Sequence, residues 1–461
     1  MRTFFSRDHT HLFMKAFSMS DLSFSPGFLR AVPVILFLTV NLLACSVTQQ
    51  STYPRSFDRE PESTRYRNSF QVSGHLLDSS FLQSVQLNRT GNPSSAPVIE
   101  LGSNQTLELF FEILNFDSNQ FSVTFTHHNP DWSRSSLPPD FFMSGLQNRN
   151  LDSGRVSQVQ RPSYRQYQYR FPENDFRFTK SGNYMIHLYD HDSRRTLLSL
   201  PFFVTENQGA VRSAVEVYQT PRQNLRISNR PTSTYAIPEI VEQPIFDLEF
   251  YFVQNQFWGR SVRADELDFS APNEVRFETS SRFSFLGDYE FLFLSLQNFN
   301  RSNPQIFETD PGQIPPKIVL SDDISGFSAA ARAAASGRFG RPDRRLSGEY
   351  ANVQFTFDPG RNLLPGEHIY LVGDFNNWTI RQDYRLTFDA GMNRWTGNTV
   401  LKEGSYYYKY VVLSGNEIND LIFDDLFTRT EQEYHALIYK RDHKEFYYRL
   451  LQIHQFTSGR N

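Results

Sequence analysis

Residues 125–145, FTHHNPDWSRSSLPPDFFMSG, and residues 177–192, RFTKSGNYMIHLYDHD, enclose YRQYQYRFPENDF at 164–176. In the middle segment Tyr167, Tyr169 and Phe171 alternate with Gln168 and Arg170. Successive side chains of an extended chain point to opposite faces, so this alternation predicts a half-buried strand. Tyr184, Ile186 and Leu188 repeat it. His127, Asp131 and Trp132 fall where one strand runs into a proline-containing turn. Asp131 and Ser135 are suited to bond backbone N–H groups of that turn. Trp132, large and apolar with one N–H to satisfy, is expected to plug the end of a β-sandwich. Gly182-Asn183 is expected as a hairpin-like break. No nucleophile stands beside a base in this stretch.

The pattern extends in both directions. Val85 and Leu87, Val98 to Leu101, Leu107 to Ile113, Phe121 to Phe125 and Leu198 to Val204 predict a first β-sandwich over 68–207. A second all-β unit is expected over 208–322, with Leu248, Phe250 and Phe252 as its clearest strand. Residues 323–347, small, Arg-rich and punctuated by Gly and Pro, read as a mobile linker or long loop, because so short an isolated helix is marginal. A third unit is expected over 348–457. There Val353, Phe355 and Phe357 alternate, and Ile369 and Leu371 lead into Gly373-Asp374-Phe375-Asn376-Asn377-Trp378. Gly373 permits close backbone, Asp374 and Asn376 bond the turn, and Trp378 is expected to fill the sandwich. The fold class is therefore all-β: three consecutive, immunoglobulin-like β-sandwiches.

Composition narrows the function. A net charge of −4 on 461 residues offers no basic field for nucleic acid. Cys45 is the sole cysteine, so a disulfide within the chain is excluded. A mostly apolar run from Ala31 to Ala44 follows Arg30, a length that suits a signal peptide better than a membrane span. Leu42-Leu43-Ala44-Cys45 resembles a bacterial lipoprotein cleavage box. Residues 1–44 are thus expected as a signal peptide, with Met14 or Met19 as the more usual start. Cys45 is expected to carry lipid, and residues 45–67 to form a flexible polar tether.

A metal centre built on His127, His128, His187 and His191 is disfavoured, since adjacent residues on a strand face opposite ways. No cofactor is expected. Asp190 and Asp192, and Asp322 and Asp323, read as solvated loop carboxylates or weak calcium contacts. A hydrolase using His127 and Asp131 lacks a Gly-x-Ser-x-Gly elbow. Trp395 and Tyr406 to Tyr408 are candidate platforms for a glycan.

His127, Asp131, Trp132, Ser135 and Leu137, followed by Ser181-Gly182-Asn183-Tyr184, resemble the plug protein family of the bacterial type IX secretion system. His128 stands where that family has cysteine. Gln254, Asn255 and Trp258 extend the resemblance, as do Gly287 to Phe291 and the C-terminal Thr430, Glu431 and Tyr434. Gln432, Lys440 and Tyr448 depart from the pattern. The stretch Gly373, Asp374, Phe375 and Trp378 is similar to a turn of the immunoglobulin-like domains in glycogen-binding modules. Together the motifs span nearly the whole mature chain in order. The resemblance implies a non-enzymatic plug that closes the periplasmic side of the outer-membrane translocon barrel. That barrel would be its partner, and a lipid at Cys45 would anchor it to the outer membrane. Loop Asn129 to Gly145 and the Arg-rich linker are expected to supply docking surface. Two alternatives stay open: a carbohydrate-binding lipoprotein and a periplasmic hydrolase.

Overall fold

The computed structural model describes residues 66–78, 80–114, 120–219, 226–325, 332–333, 340–424 and 430–459. The expected signal peptide, Cys45 and residues 45–65 of the tether lie outside the described residues. Arg67, at the tether's end, is fixed: its N–H donates to Asn416 O at 2.8 Å. Among the described residues strands dominate, and α-helix is confined to single turns such as Pro139–Phe142 and Pro244–Asp247.

The first sandwich uses β1 (Leu82–Arg89), β2 (Leu107–Leu114), β3 (Phe121–His128), β4 (Tyr164–Phe171), β5 (Gly182–Asp190) and β6 (Arg195–Thr205). Strands β1, β2 and β4 form one antiparallel sheet, and β3, β5 and β6 the other. Phe111 and Tyr167 of the first sheet pack with Phe125, Tyr184 and Phe202 of the second. The expected break at Gly182-Asn183 is instead the first rung of β5, where Gly182 pairs with Val204 and Asn183 with Phe203. Glycine is required there for another reason. At φ 143° a Cβ would lie 2.4 Å from His127 Nε2.

The remaining strands are β7 (Val211–Gln219), β8 (Ile227–Ala236), β9 (Leu248–Gln254), β10 (Glu274–Glu278), β11 (Phe291–Leu296), β12 (Tyr350–Asp358), β13 (Glu367–Gly373), β14 (Arg394–Lys402), β15 (Gly404–Ser414), β16 (Glu433–Asp442) and β17 (Tyr447–Thr457). Sheet membership does not follow chain order. Strand β9 pairs with β16, which pairs with β17, opposite a sheet of β7, β8 and β10. Strand β11 pairs with β15, which pairs with β13, opposite β12 and β14. The expected units 208–322 and 348–457 therefore exchange strands. Side-chain alternation explains it. Tyr434, Ala436 and Ile438 of β16 face a core with Phe250, Phe252 and Phe277. Leu294 and Leu296 of β11 face the core of Val353, Phe355 and Tyr408. The third sandwich is inserted between two halves of the second.

Part of the expected linker is also fixed. Asp323–Ile324 pairs with β12 and Arg341–Pro342 with β15. Arg344 donates to Gln86 Oε1 at 2.7 Å and Glu108 Oε1 at 2.6 Å. Residues 326–331 and 334–339 lie outside the described residues. Asp323 is no solvated carboxylate either, for it is buried and accepts the hydroxyls of Tyr408 and Tyr410 at 2.7 Å.

The first and third sandwiches meet at a buried charge pair. Lys402 Nζ lies 2.7 Å from Glu112 Oε1, both side chains 0% exposed. Gln166 Nε2 and Tyr350 OH donate to the same carboxylate. Removing one partner of such a pair strands a charge in a dry site. Lys402→Ala is expected to lower the unfolding free energy by about 3–5 kcal/mol in urea denaturation. The double change Glu112→Leu with Lys402→Met should recover most of that loss. A Lys402→Ala protein as stable as the parent would contradict this placement.

Candidate functional site

Several residues singled out in the sequence gather at the joints between sandwiches, on loops that carry tryptophan. Trp132 and Trp378 adopt φ of 65° and 56°, and Asn255 and Gln256, just before Trp258, adopt 62° and 53°. The left-handed region is costly for residues with a side chain, so surrounding contacts must hold it. At Trp132 the N–H donates to Asn129 O, and Asp131 Oδ1 accepts the Ser133 N–H at 2.9 Å. This backbone aims the indoles beyond their own sandwich. Trp132 packs with Val98, Met185 and Phe203 of the first sandwich and with Val253, Leu437 and Leu450 of the second. Trp258 meets Phe203 from the other side, at 4.6 Å between ring centroids. Trp378 lies against Phe70, Phe257 and Phe291 at 5.7, 5.3 and 5.2 Å. Trp378 thus fills a joint rather than the sandwich interior expected for it, and Trp132, expected at the end of a sandwich, fills the joint with the next one. The interiors are already occupied by strand side chains, and loops at sandwich ends reach past them.

Polar groups of the motif fix the same joint. His127 is 1% exposed. Its Nε2–H donates to Ser181 O at 3.0 Å and its Nδ1 accepts from Ser135 Oγ at 2.9 Å. Ser181 Oγ donates to Glu206 Oε1 at 2.7 Å and accepts the Leu450 N–H of β17 at 3.1 Å. Asn183 Oδ1 accepts the Tyr439 hydroxyl of β16 at 2.7 Å. Tyr184 OH donates to Lys180 O at 2.6 Å. On the opposite face of β3 runs a second buried chain. His128 Nδ1–H donates to Trp132 O at 2.9 Å, and Thr126 Oγ1 bridges His128 Nε2 and His187 Nε2 at 2.8 Å each. His187 Nδ1 accepts from Ser199 Oγ at 2.7 Å. With a carbonyl at one end and the imidazoles neutral, every donor along the chain has one direction.

The other motifs act as knots. Asn255 Nδ2 donates to Gln432 Oε1 at 2.7 Å, and Gln254 Nε2 to Tyr434 OH at 3.1 Å, tying β9 to β16. The Thr430 N–H donates to Gly287 O at 2.9 Å, and Glu431 follows it, partly exposed. Asp374 Oδ2 accepts the N–H groups of Gly340 at 2.7 Å and Tyr407 at 2.6 Å. Gly373 admits the backbone of Tyr407, whose O would lie 2.6 Å from a Cβ. Phe375 packs on the third core.

The arrangement orients; it offers little room for chemistry. The Ser135–His127 pair resembles a nucleophile and base, yet Ser135 is only 8% exposed and the far imidazole nitrogen meets a carbonyl, not a carboxylate. Among the described residues no cluster of His, Cys, Asp and Glu is placed to hold a metal. Tyr406 and Tyr408 are core residues at 2% exposure, so they are no glycan platform. Sequence reasoning passed over His75, Glu112 and Lys402, all buried polar residues without a motif. It also passed over one signal of two-sided burial, the run Leu197 to Val204, which is apolar but for Ser199.

Burial holds His127 and His128 down at about 4, from an ordinary 6.5, and His187 well below its usual value. The unfolded chain therefore takes up these protons first as pH falls, and stability is lost between 6.5 and 4. Each of the first two is expected to cost about 2 kcal/mol between pH 7 and pH 5. Asp323, pushed up to about 6 by burial, returns about 1 kcal/mol over the same interval. Urea denaturation at the two pH values should show a clear net loss at pH 5. Equal stability would contradict neutral, buried imidazoles.

Residues 82–206 match the model of the type 9 secretion system plug protein 1st domain. A crystallised hypothetical protein from Parabacteroides merdae ATCC 43184 is similar at 20% identity, with a TM-score of 0.74, covering 83% of this chain and 98% of its own. That likeness shows the fold. A biofilm associated protein BSP domain matches at 7% identity over 83% of this chain and 60% of its own, with a TM-score of 0.15, too low to carry an argument. No curated protein matches the chain. The match over 82–206, which contains His127, Asp131, Trp132, Ser135 and Ser181 to Tyr184, supports a role related to the type IX secretion plug and an association with the cell envelope.

Proposed function

We propose that the protein is a non-enzymatic plug that closes the periplasmic side of the type IX secretion translocon barrel. The observation that carries this reading is the family match over 82–206, which falls on the sandwich holding the first tryptophan loop. The physical character of the body agrees with it. A stopper must resist deformation when the pore is loaded, and close-packed interiors resist compression. Here buried side chains bridge all three sandwiches, through Trp132 and Trp258, through Trp378, and through Glu112 and Lys402. The signature residues act as structural ties within this body rather than as reactive groups.

In this reading lipid on Cys45 holds the plug beside its pore. Each buried CH₂ of such an anchor contributes about 0.8 kcal/mol, and tethering keeps the local concentration high, so displacement by cargo is reversible. Part of the loop Asn129 to Gly145 faces outward to dock: Phe141 is 59% exposed while its neighbour Phe142 is buried.

Affinity purification of the tagged protein from membranes is expected to recover a large outer-membrane barrel. Cys45→Ala should move the protein from the membrane to the soluble fraction in cells lacking that barrel. Recovery of no barrel under mild detergent would remove the proposal. Retarded migration in an α-glucan gel would favour the carbohydrate-binding alternative instead.

A further inference from the structure

Where the three sandwiches meet they line a partly open cavity of about 130 Å³. The first sandwich supplies Gln86 to its wall, the second Trp258, the third Asn377 and Trp378, and the segment before β1 supplies His75. That volume is enough for one amino-acid side chain. The wall is partly apolar, with both indoles and several prolines contributing.

The polar groups of this wall are unusual. His75 is 1% exposed, and among the described residues neither of its ring nitrogens finds a hydrogen-bond partner. Gln86 Nε2 and Asn377 Nδ2 are buried without a partner as well. Folded proteins pair nearly all such groups, because an unpaired buried donor costs free energy. The inventory is biased toward donors: two carboxamide NH₂ groups and one imidazole N–H stand against a single imidazole acceptor. A complementary molecule must bring mainly acceptors.

Charge and hydroxyl content narrow the choice. Among the described residues no lysine or arginine lines the cavity, while the Asp374 carboxylate does, so those residues offer an anion no counter-charge. Each sugar hydroxyl can accept, but it also brings an O–H donor, and the unpaired groups offer those donors a single imidazole acceptor. A peptide brings neutral carbonyl acceptors, an occasional N–H for the imidazole, and an apolar side chain for the indoles. We propose that the cavity binds a peptide segment, which seats one apolar side chain beside Trp258 and Trp378 and presents backbone carbonyls to Gln86 and Asn377. The inference rests on the three-way junction and does not depend on the secretion reading. Because each sandwich contributes part of the wall, bound peptide would tighten their mutual placement, and loosening the junction would release it.

The test follows the four tryptophan indole N–H signals by NMR while N-acetyl-leucine N-methylamide is titrated into the purified protein. Saturable shifts of the Trp258 and Trp378 signals are expected, with Trp395 unmoved. Asn377→Gly removes a donor at a left-handed position that glycine adopts freely, and His75→Phe replaces the imidazole with an apolar ring. Each is expected to weaken the titration about tenfold, the loss of roughly one good hydrogen bond. Unchanged Trp132 and Trp395 signals would certify that the variants fold. The absence of a saturable shift, meaning a cavity that holds only water, would overturn the proposal. So would an unchanged affinity in both variants, or glucose or N-acetyl-leucine carboxylate shifting the same indoles in place of the amide.

Discussion

Strand β6 is buried on both faces: ten of its eleven residues, Thr196 through Thr205, are inaccessible. One face, with Leu198, Leu200 and Phe202, completes the first sandwich. The other presents Phe203, and a lone sandwich would leave that ring in water. Burying such a ring stabilises by about 2 kcal/mol, so this face requires a partner. It finds one in the sheet of β9, β16 and β17, through Val253, Leu437 and Leu450. The backbone completes the seam, since the N–H groups of Glu206 and Gln208 donate to Leu450 O and Leu451 O at 2.9 and 2.8 Å.

That partner sheet exists only when the C-terminal hairpin has returned to β9. The second sandwich therefore closes, and the first is covered, only through pairing across the whole length of the third. Long-range pairing of this kind is slow to form and cooperative once formed. It also explains why the motifs are scattered so widely in sequence. Ser181 meets Leu450 across the seam, and Asn255 meets Gln432 beside the sheet that forms it, though the members of each pair are far apart in the chain.

Much of this was legible in the sequence. Alternation at Tyr167 to Phe171, Leu248 to Phe252 and Val353 to Phe357 identified strands, because the two-residue period is a local property of the chain. The motif residues around His127 and Trp132 were also legible as a group. Their purpose was not. Adjacent side chains on a strand announce opposite faces, but not which face meets another sandwich. Nothing local to Glu433–Asp442 reveals that its partner is Leu248–Gln254, since both alternate equally well and would pair acceptably elsewhere. Glu112 and Lys402 read as ordinary surface charges until a second sandwich removes the water from them. Trp132 read as the plug of a sandwich end and Trp378 as sandwich filling because a large apolar ring must be buried somewhere, and the joint had no separate signature.

The central claim is that the sandwiches form a single body whose joints cannot open while the sheets persist. Trp132, Trp258 and Trp378 sit in those joints, whereas far-ultraviolet circular dichroism reports the sheets themselves. Equilibrium unfolding in urea followed by both signals tests the claim most directly. Coincident transitions, with one midpoint and one slope, are the predicted result. A fluorescence change completed at lower urea, with the sheet signal still intact, would show joints that separate first and would contradict the account.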